Sequence, residues 1–75
     1  MGVVAFILLV SELGKEREVV KEALKTPGVV EARLLFGEYD VLVRVEVDNI
    51  DELDRAVTAI RNTKGVVKTM TLISS

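Results

Sequence analysis

Glu38 and Asp40 stand two residues apart in the run Gly37-Glu38-Tyr39-Asp40, and acids held that close could divide general-acid and general-base work between them. Such a pair needs company, and the sequence supplies none. It has no His and no Cys, so imidazole bases, thiolate nucleophiles, Cys or His zinc sites and haem ligation are absent from the inventory. Ser11, Ser74, Ser75 and the threonines lack an activating base, and no Gly-rich phosphate loop accompanies the acids. The plainer reading is that Glu38 and Asp40 are turn residues facing water, with Asp40 bonding its local backbone. No catalytic residue, metal or cofactor is expected.

Two groups of residues retain binding chemistry. Gly37, Glu38, Tyr39 and Asp40 combine backbone donors free at a turn, two acids, and one of only three aromatic residues, since the chain holds one Tyr, two Phe and no Trp. Thr69 and Thr71 share a parity and so point to one side of a strand. Each group also has an ordinary account: Tyr39 as a packing residue of a hairpin, and the threonines as common strand formers.

The elements that position these groups follow from hydrophobic spacing. Residues 3–10, Val-Val-Ala-Phe-Ile-Leu-Leu-Val, are too short for a globular helix and rich in β-branched side chains, which predicts a strand apolar on both faces. Within residues 15–25, Val19, Val20, Ala23 and Leu24 make a helical stripe, stopped by Thr26-Pro27-Gly28. Residues 29–36 and 41–47 read as strands joined by the 37–40 turn, an antiparallel hairpin. Asn49 is an N-cap candidate, and Glu52, three residues on, has capping-box spacing. Leu53, Ala56, Val57 and Ile60 then give the stripe of a second helix ending at residues 62–65, and residues 66–73 form a last strand.

The halves repeat. Thr26-Pro27-Gly28-Val29-Val30 matches Thr63-Lys64-Gly65-Val66-Val67 at an offset of 37, taken from 63 minus 26. The same offset lays Val20 on Val57, Ala23 on Ile60 and Val4 on Val41. Two βαβ units joined by a hairpin predict an α+β, ferredoxin-like βαββαβ fold, a four-stranded antiparallel sheet with both helices on one face. Whichever parity of the first strand faces the helices, the other leaves four large apolar side chains on the open face. A contiguous patch of that kind marks an interaction site, and the same face of a second copy is its simplest cover.

Composition agrees. The 75 residues are 49% hydrophobic and 29% charged, with five Gly and one Pro, which suits one packed domain over residues 2–75. A chain this short commonly needs a disulfide, a metal or oligomerisation, and the inventory leaves the last. The net charge of −2, with Lys and Arg scattered singly, offers no stripe for a phosphate backbone. Residues 3–10 have no basic residue before them and are too short to cross a bilayer. The expected setting is cytoplasmic, with no membrane and no direct nucleic acid as partner.

In order, Phe6-Ile7-Leu8-Leu9-Val10, Gly14-Lys15-Glu16, Pro27-Gly28-Val29-Val30, Gly37-Glu38-Tyr39-Asp40 and Thr69-Met70-Thr71-Leu72-Ile73 resemble the C-terminal effector domain (RAM, for regulation of amino-acid metabolism) of Lrp/AsnC transcriptional regulators, over nearly the whole chain. The resemblance implies sheet-paired dimers, assembly of dimers into rings, and a small amino acid bound between neighbouring dimers. It places the ligand at Gly37, Glu38, Tyr39, Asp40, Thr69 and Thr71: backbone amides of residues 37–40 receive its carboxylate, and Asp40 or a Thr hydroxyl its ammonium. Full-length Lrp/AsnC regulators are then candidate partners. The family's helix-turn-helix segment is not within these residues, so DNA binding is not carried over.

Other readings of the same topology remain. A small dimeric α+β barrel enzyme shares the fold, and an ACT-like regulatory module shares both strand order and amino-acid ligands. An RNA-recognition domain would need a set of stacking aromatics on its central strands, where Phe6 stands alone among Val, Leu, Arg and Glu, and a copper chaperone would need a Cys-x-x-Cys loop.

Overall fold

In the computed structural model, which describes residues 2–74, the chain runs β1 (Val3–Ser11), α1 (Glu16–Leu24), β2 (Val29–Leu34), β3 (Val41–Val47), α2 (Ile50–Arg61) and β4 (Val66–Ser74). Ser75, the last residue of the expected domain, lies outside the described residues. The strands form one sheet in the order β2-β3-β1-β4, antiparallel at every pairing. Ile7 of β1 pairs with Val43 on one side and Thr71 on the other. Strand alternation therefore sends Ala5, Ile7 and Leu9 together with Val41, Val43 and Val45 to one face, where all six are fully buried. Val19 and Ala23 of α1 and Leu53, Ala56 and Ile60 of α2 close over them in one cluster. This is the ferredoxin-like α+β arrangement that the repeated βαβ pattern predicts.

The internal repeat reaches down to single hydrogen bonds. Thr26 Oγ1 donates to Glu22 O at 3.4 Å, and its counterpart Thr63 Oγ1 donates to Ala59 O at 2.9 Å. Val29 N bonds Thr26 O, and Val66 N bonds Thr63 O, both at 3.1 Å. Each following strand opens with a bulge, at Val30 against β3 and at Val67 against β1, again 37 apart. Gly28 is demanded by this turn: φ is +93°, and a Cβ would sit 2.6 Å from Val47 Cγ1. At the start of α2, Glu52 N bonds Asn49 Oδ1 at 2.9 Å, the N-cap its spacing announces. Glu52 Oε2 in return accepts from Asp48 N at 3.2 Å, one residue earlier than the standard capping box.

Element ends differ from expectation in small ways. β1 and β4 each run one residue further, to Ser11 and Ser74, because they pair with each other along their length. β2 stops at Leu34 instead of residue 36. Leu35 N bonds Asp40 O at 2.8 Å and closes the hairpin there, so Phe36 projects fully into solvent.

The face away from the helices is divided. Val4, Phe6, Leu8 and Val10 of β1 are half-buried on it, beside Met70 and Leu72 of β4, which register with Leu8 and Phe6. The β2–β3 half adds Leu42, which registers with Leu8, and is otherwise charged: Arg44 Nη2 lies 2.6 Å from Glu46 Oε2, and Arg33 Nε pairs with Glu31. The four-residue apolar patch of β1 is present as expected, with a polar flank that hydrophobic spacing did not announce. No helix among the described residues is long and apolar enough to cross a membrane.

Candidate functional site

The turn at residues 37–40 is pinned by its last residue. Asp40 N bonds Leu9 O, and Ser11 N bonds Asp40 Oδ2, each at 2.8 Å. The carboxylate thus reaches across to the C-terminal end of β1, 29 residues away in sequence, where the sequence suggested only a local backbone bond. Ser11 is the one buried polar residue of the described chain, and its amide is satisfied by a charge. Asp40 Oδ1 makes no hydrogen bond among the described residues.

The residues before Asp40 are open. The amides of Gly37, Glu38 and Tyr39 make no hydrogen bond among the described residues. Gly37 has φ +139°, and a Cβ there would meet nothing within 4 Å. Its conformation asks for glycine, yet no part of the same chain crowds it. A cleft of about 590 Å³ lies beside it, bounded by Gly14, Arg17, Phe36, Gly37 and Asp40. Consecutive unpartnered amides next to a half-engaged carboxylate form a surface suited to a zwitterion, N–H groups for an anion and Oδ1 for a cation.

Thr69 and Thr71 lie elsewhere. Thr69 pairs with Leu9 and Thr71 with Ile7, so both point to the helix-covered side of the sheet, along its β4 edge. They line a second groove, about 490 Å³, with Val57 and Arg61 of α2. Their hydroxyls have no hydrogen-bond partner among the described residues. Leu9 stands between Thr69 and Asp40, bonded to the Asp40 amide on one side and paired with Thr69 on the other. Two strand spacings, about 10 Å, therefore separate their backbones. Tyr39 goes to the opposite face: its hydroxyl approaches Met70 Sδ at 3.7 Å. Within one chain, Gly37, Glu38 and Asp40 with the Tyr39 amide thus form one group, Thr69 and Thr71 another, and the Tyr39 side chain lies apart, against Met70.

Sequence reasoning missed three participants. Ser11 holds the turn through its amide, which carries no residue-type signal. Phe36, expected at the end of a strand, and Leu13 are 104% and 97% exposed in neighbouring loops. The ion pairs of the open face had a signal in the opposite charges two apart at Glu31 and Arg33 and at Arg44 and Glu46, because side chains two apart on a strand share a face.

The chain is similar along its length to known proteins. The family model described as the Lrp/AsnC ligand binding domain matches residues 4–75. An uncharacterized HTH-type transcriptional regulator of Pyrococcus horikoshii is 36% identical over 99% of this chain and 52% of its own length; the chain spans about half of that relative. The crystal structure of FFRP-DM1 superposes with a TM-score of 0.91 at 44% identity, covering 97% of this chain and 99% of that one. The fold is also that of a Neisseria meningitidis transcriptional regulator crystallised with L-Met, at a TM-score of 0.82 and 21% identity over 97% of this chain and 49% of that one.

Proposed function

Since the chain belongs to the Lrp/AsnC ligand-binding domain family, we propose that it is a small cytoplasmic effector-sensing domain that binds an amino acid between copies of itself. The family is regulatory, and its matched relative is described as a transcriptional regulator. The observation that carries the proposal is the row of unpartnered amides at Gly37, Glu38 and Tyr39 beside the free Oδ1 of Asp40. The amino-acid carboxylate sits on those amides, and the ammonium on Asp40. Thr69 and Thr71 of a neighbouring copy complete the site, because within one copy they line a separate groove. An L-Met complex in a regulator of the same fold supports an amino acid as ligand.

Assembly is part of the proposal. The open sheet face, with Phe6, Leu8, Met70 and Leu72, pairs with its equivalent in a second copy, and dimers join into a ring. The domain then acts on full-length Lrp/AsnC regulators through shared interfaces. No catalysis is proposed, because neither hydroxyl nor carboxylate has an activating base beside it. Nor is contact with DNA by these residues, given a net charge of −2.

Native mass spectrometry followed by calorimetry against the twenty amino acids tests this. One chemical group of amino acids should bind an assembly of dimers or larger, and Thr71→Val should weaken that binding by about fivefold, the worth of one neutral hydrogen bond. Absence of binding by every amino acid at millimolar concentration, in protein that has assembled, would remove the sensing function.

A further inference from the structure

Phe36 is 104% exposed and Leu13 97% exposed, and neither lies on the open sheet face. Phe36 belongs to the β2–β3 hairpin and Leu13 to the β1–α1 loop, and these two connections meet at the cleft where Gly14 and Arg17 face Phe36 and Gly37. A fully solvated Phe at a loop tip packs against nothing in its own chain, so it adds nothing to the folded core. Its whole ring is available to a contact from outside the chain.

An apolar groove lies on the same molecule. Beside β2, α1 and Leu34 enclose a groove of about 350 Å³, floored by Val20, Leu24 and Leu34 and rimmed by Arg17 and Lys21. Leu24 is 53% exposed and Leu34 42%, so its apolar floor is left partly wet. The charges are complementary. Glu18, the acid at the groove, is engaged by Lys15, whereas Arg17 and Lys21 have no carboxylate within salt-bridge distance among the described residues. Glu38, two residues beyond Phe36, is exposed and likewise unpaired. An apolar knob followed by an acid thus fits an apolar groove with a basic rim.

We propose that Phe36 of one copy docks into the Val20–Leu24–Leu34 groove of another, with Glu38 against Arg17 and Lys21, and that this is the contact joining dimers. It rests on the proposed assembly and supplies what that assembly lacks: a ring of dimers needs a second surface distinct from the first. The docked copy also covers the open ground beside Gly37, so the amides of Gly37, Glu38 and Tyr39 face a neighbouring chain. The effector site and the second interface are then adjacent parts of one junction.

Light scattering on size-exclusion fractions and sedimentation velocity test it, using wild type, Phe36→Ser, Leu24→Glu and Glu38→Lys. Wild type should run as an assembly larger than a dimer. Phe36→Ser and Leu24→Glu should each run as dimers over a concentration range of about tenfold or more, with wild-type circular dichroism, because both sites lie outside the buried core. Glu38→Lys should weaken the larger assembly, and the combination with Lys21→Glu should recover part of it. A wild type that never exceeds a dimer overturns both the ring and the docking. A wild-type ring that persists unchanged in Phe36→Ser and Leu24→Glu overturns the docking alone and leaves the ring to another surface.

Discussion

Removing the Asp40 carboxylate should loosen the end of the sheet by a calculable amount. Its Oδ2 accepts from Ser11 N at 2.8 Å, and Ser11 is only 8% exposed, so water cannot fully replace the lost acceptor. A hydrogen bond to a charged group contributes about 1.5 to 3 kcal/mol, and an orphaned buried donor costs a similar amount. Asp40→Ala should therefore destabilise the fold by about 2 to 3 kcal/mol. Asp40→Asn, which keeps an acceptor and loses only the charge, should cost about 1 kcal/mol. The main-chain bonds Asp40 N to Leu9 O and Leu35 N to Asp40 O survive both substitutions, so the loss is assignable to the side chain. In a domain of this size each kcal/mol moves the melting temperature by about 4 to 8 °C, which puts Asp40→Ala about 10 to 20 °C below wild type. Urea denaturation followed by far-UV circular dichroism, at matched protein concentrations because association adds to apparent stability, measures the change. An Asp40→Ala protein within about 0.5 kcal/mol of wild type would refute the latch, the usual scatter of a surface substitution. The same pair of variants separates stability from sensing: Asp40→Asn should remain largely folded yet lose the charge proposed for the amino-acid ammonium.

Gly28→Ala should destabilise more than Gly37→Ala. The first must tolerate φ +93° and a Cβ 2.6 Å from Val47 Cγ1, the second only φ +139° in open space, so thermal melts should give about 2 to 4 against about 1 to 2 kcal/mol; the reverse order would contradict the crowding at Gly28. Asn49→Ala should cost about 1 kcal/mol through the lost bond to Glu52 N, read by the same melts.

Much of this protein is written in one dimension. The apolar strand, the two helical stripes and the match of residues 26–30 with residues 63–67 imply a doubled βαβ unit, because side-chain period and turn chemistry are local properties. Local agreement is close enough that even the bulges at Val30 and Val67 recur at the repeat offset. The turn at residues 37–40 was likewise legible, since Gly followed by acids is turn chemistry whatever surrounds it. Partners distant in sequence were not. That Asp40 bonds Ser11 N, that Leu9 separates Asp40 from Thr69, and that Tyr39 reaches Met70 on the other face all depend on the strand order β2-β3-β1-β4. Long-range pairing sets that order, and no residue type announces it. The exposure of Phe36 is of the same kind: hydrophobic spacing puts it at the end of a strand, but the Leu35 to Asp40 bond closes the hairpin one residue earlier. Hydrophobicity states what a side chain would gain by burial, and only the closed backbone decides whether its own chain can provide it.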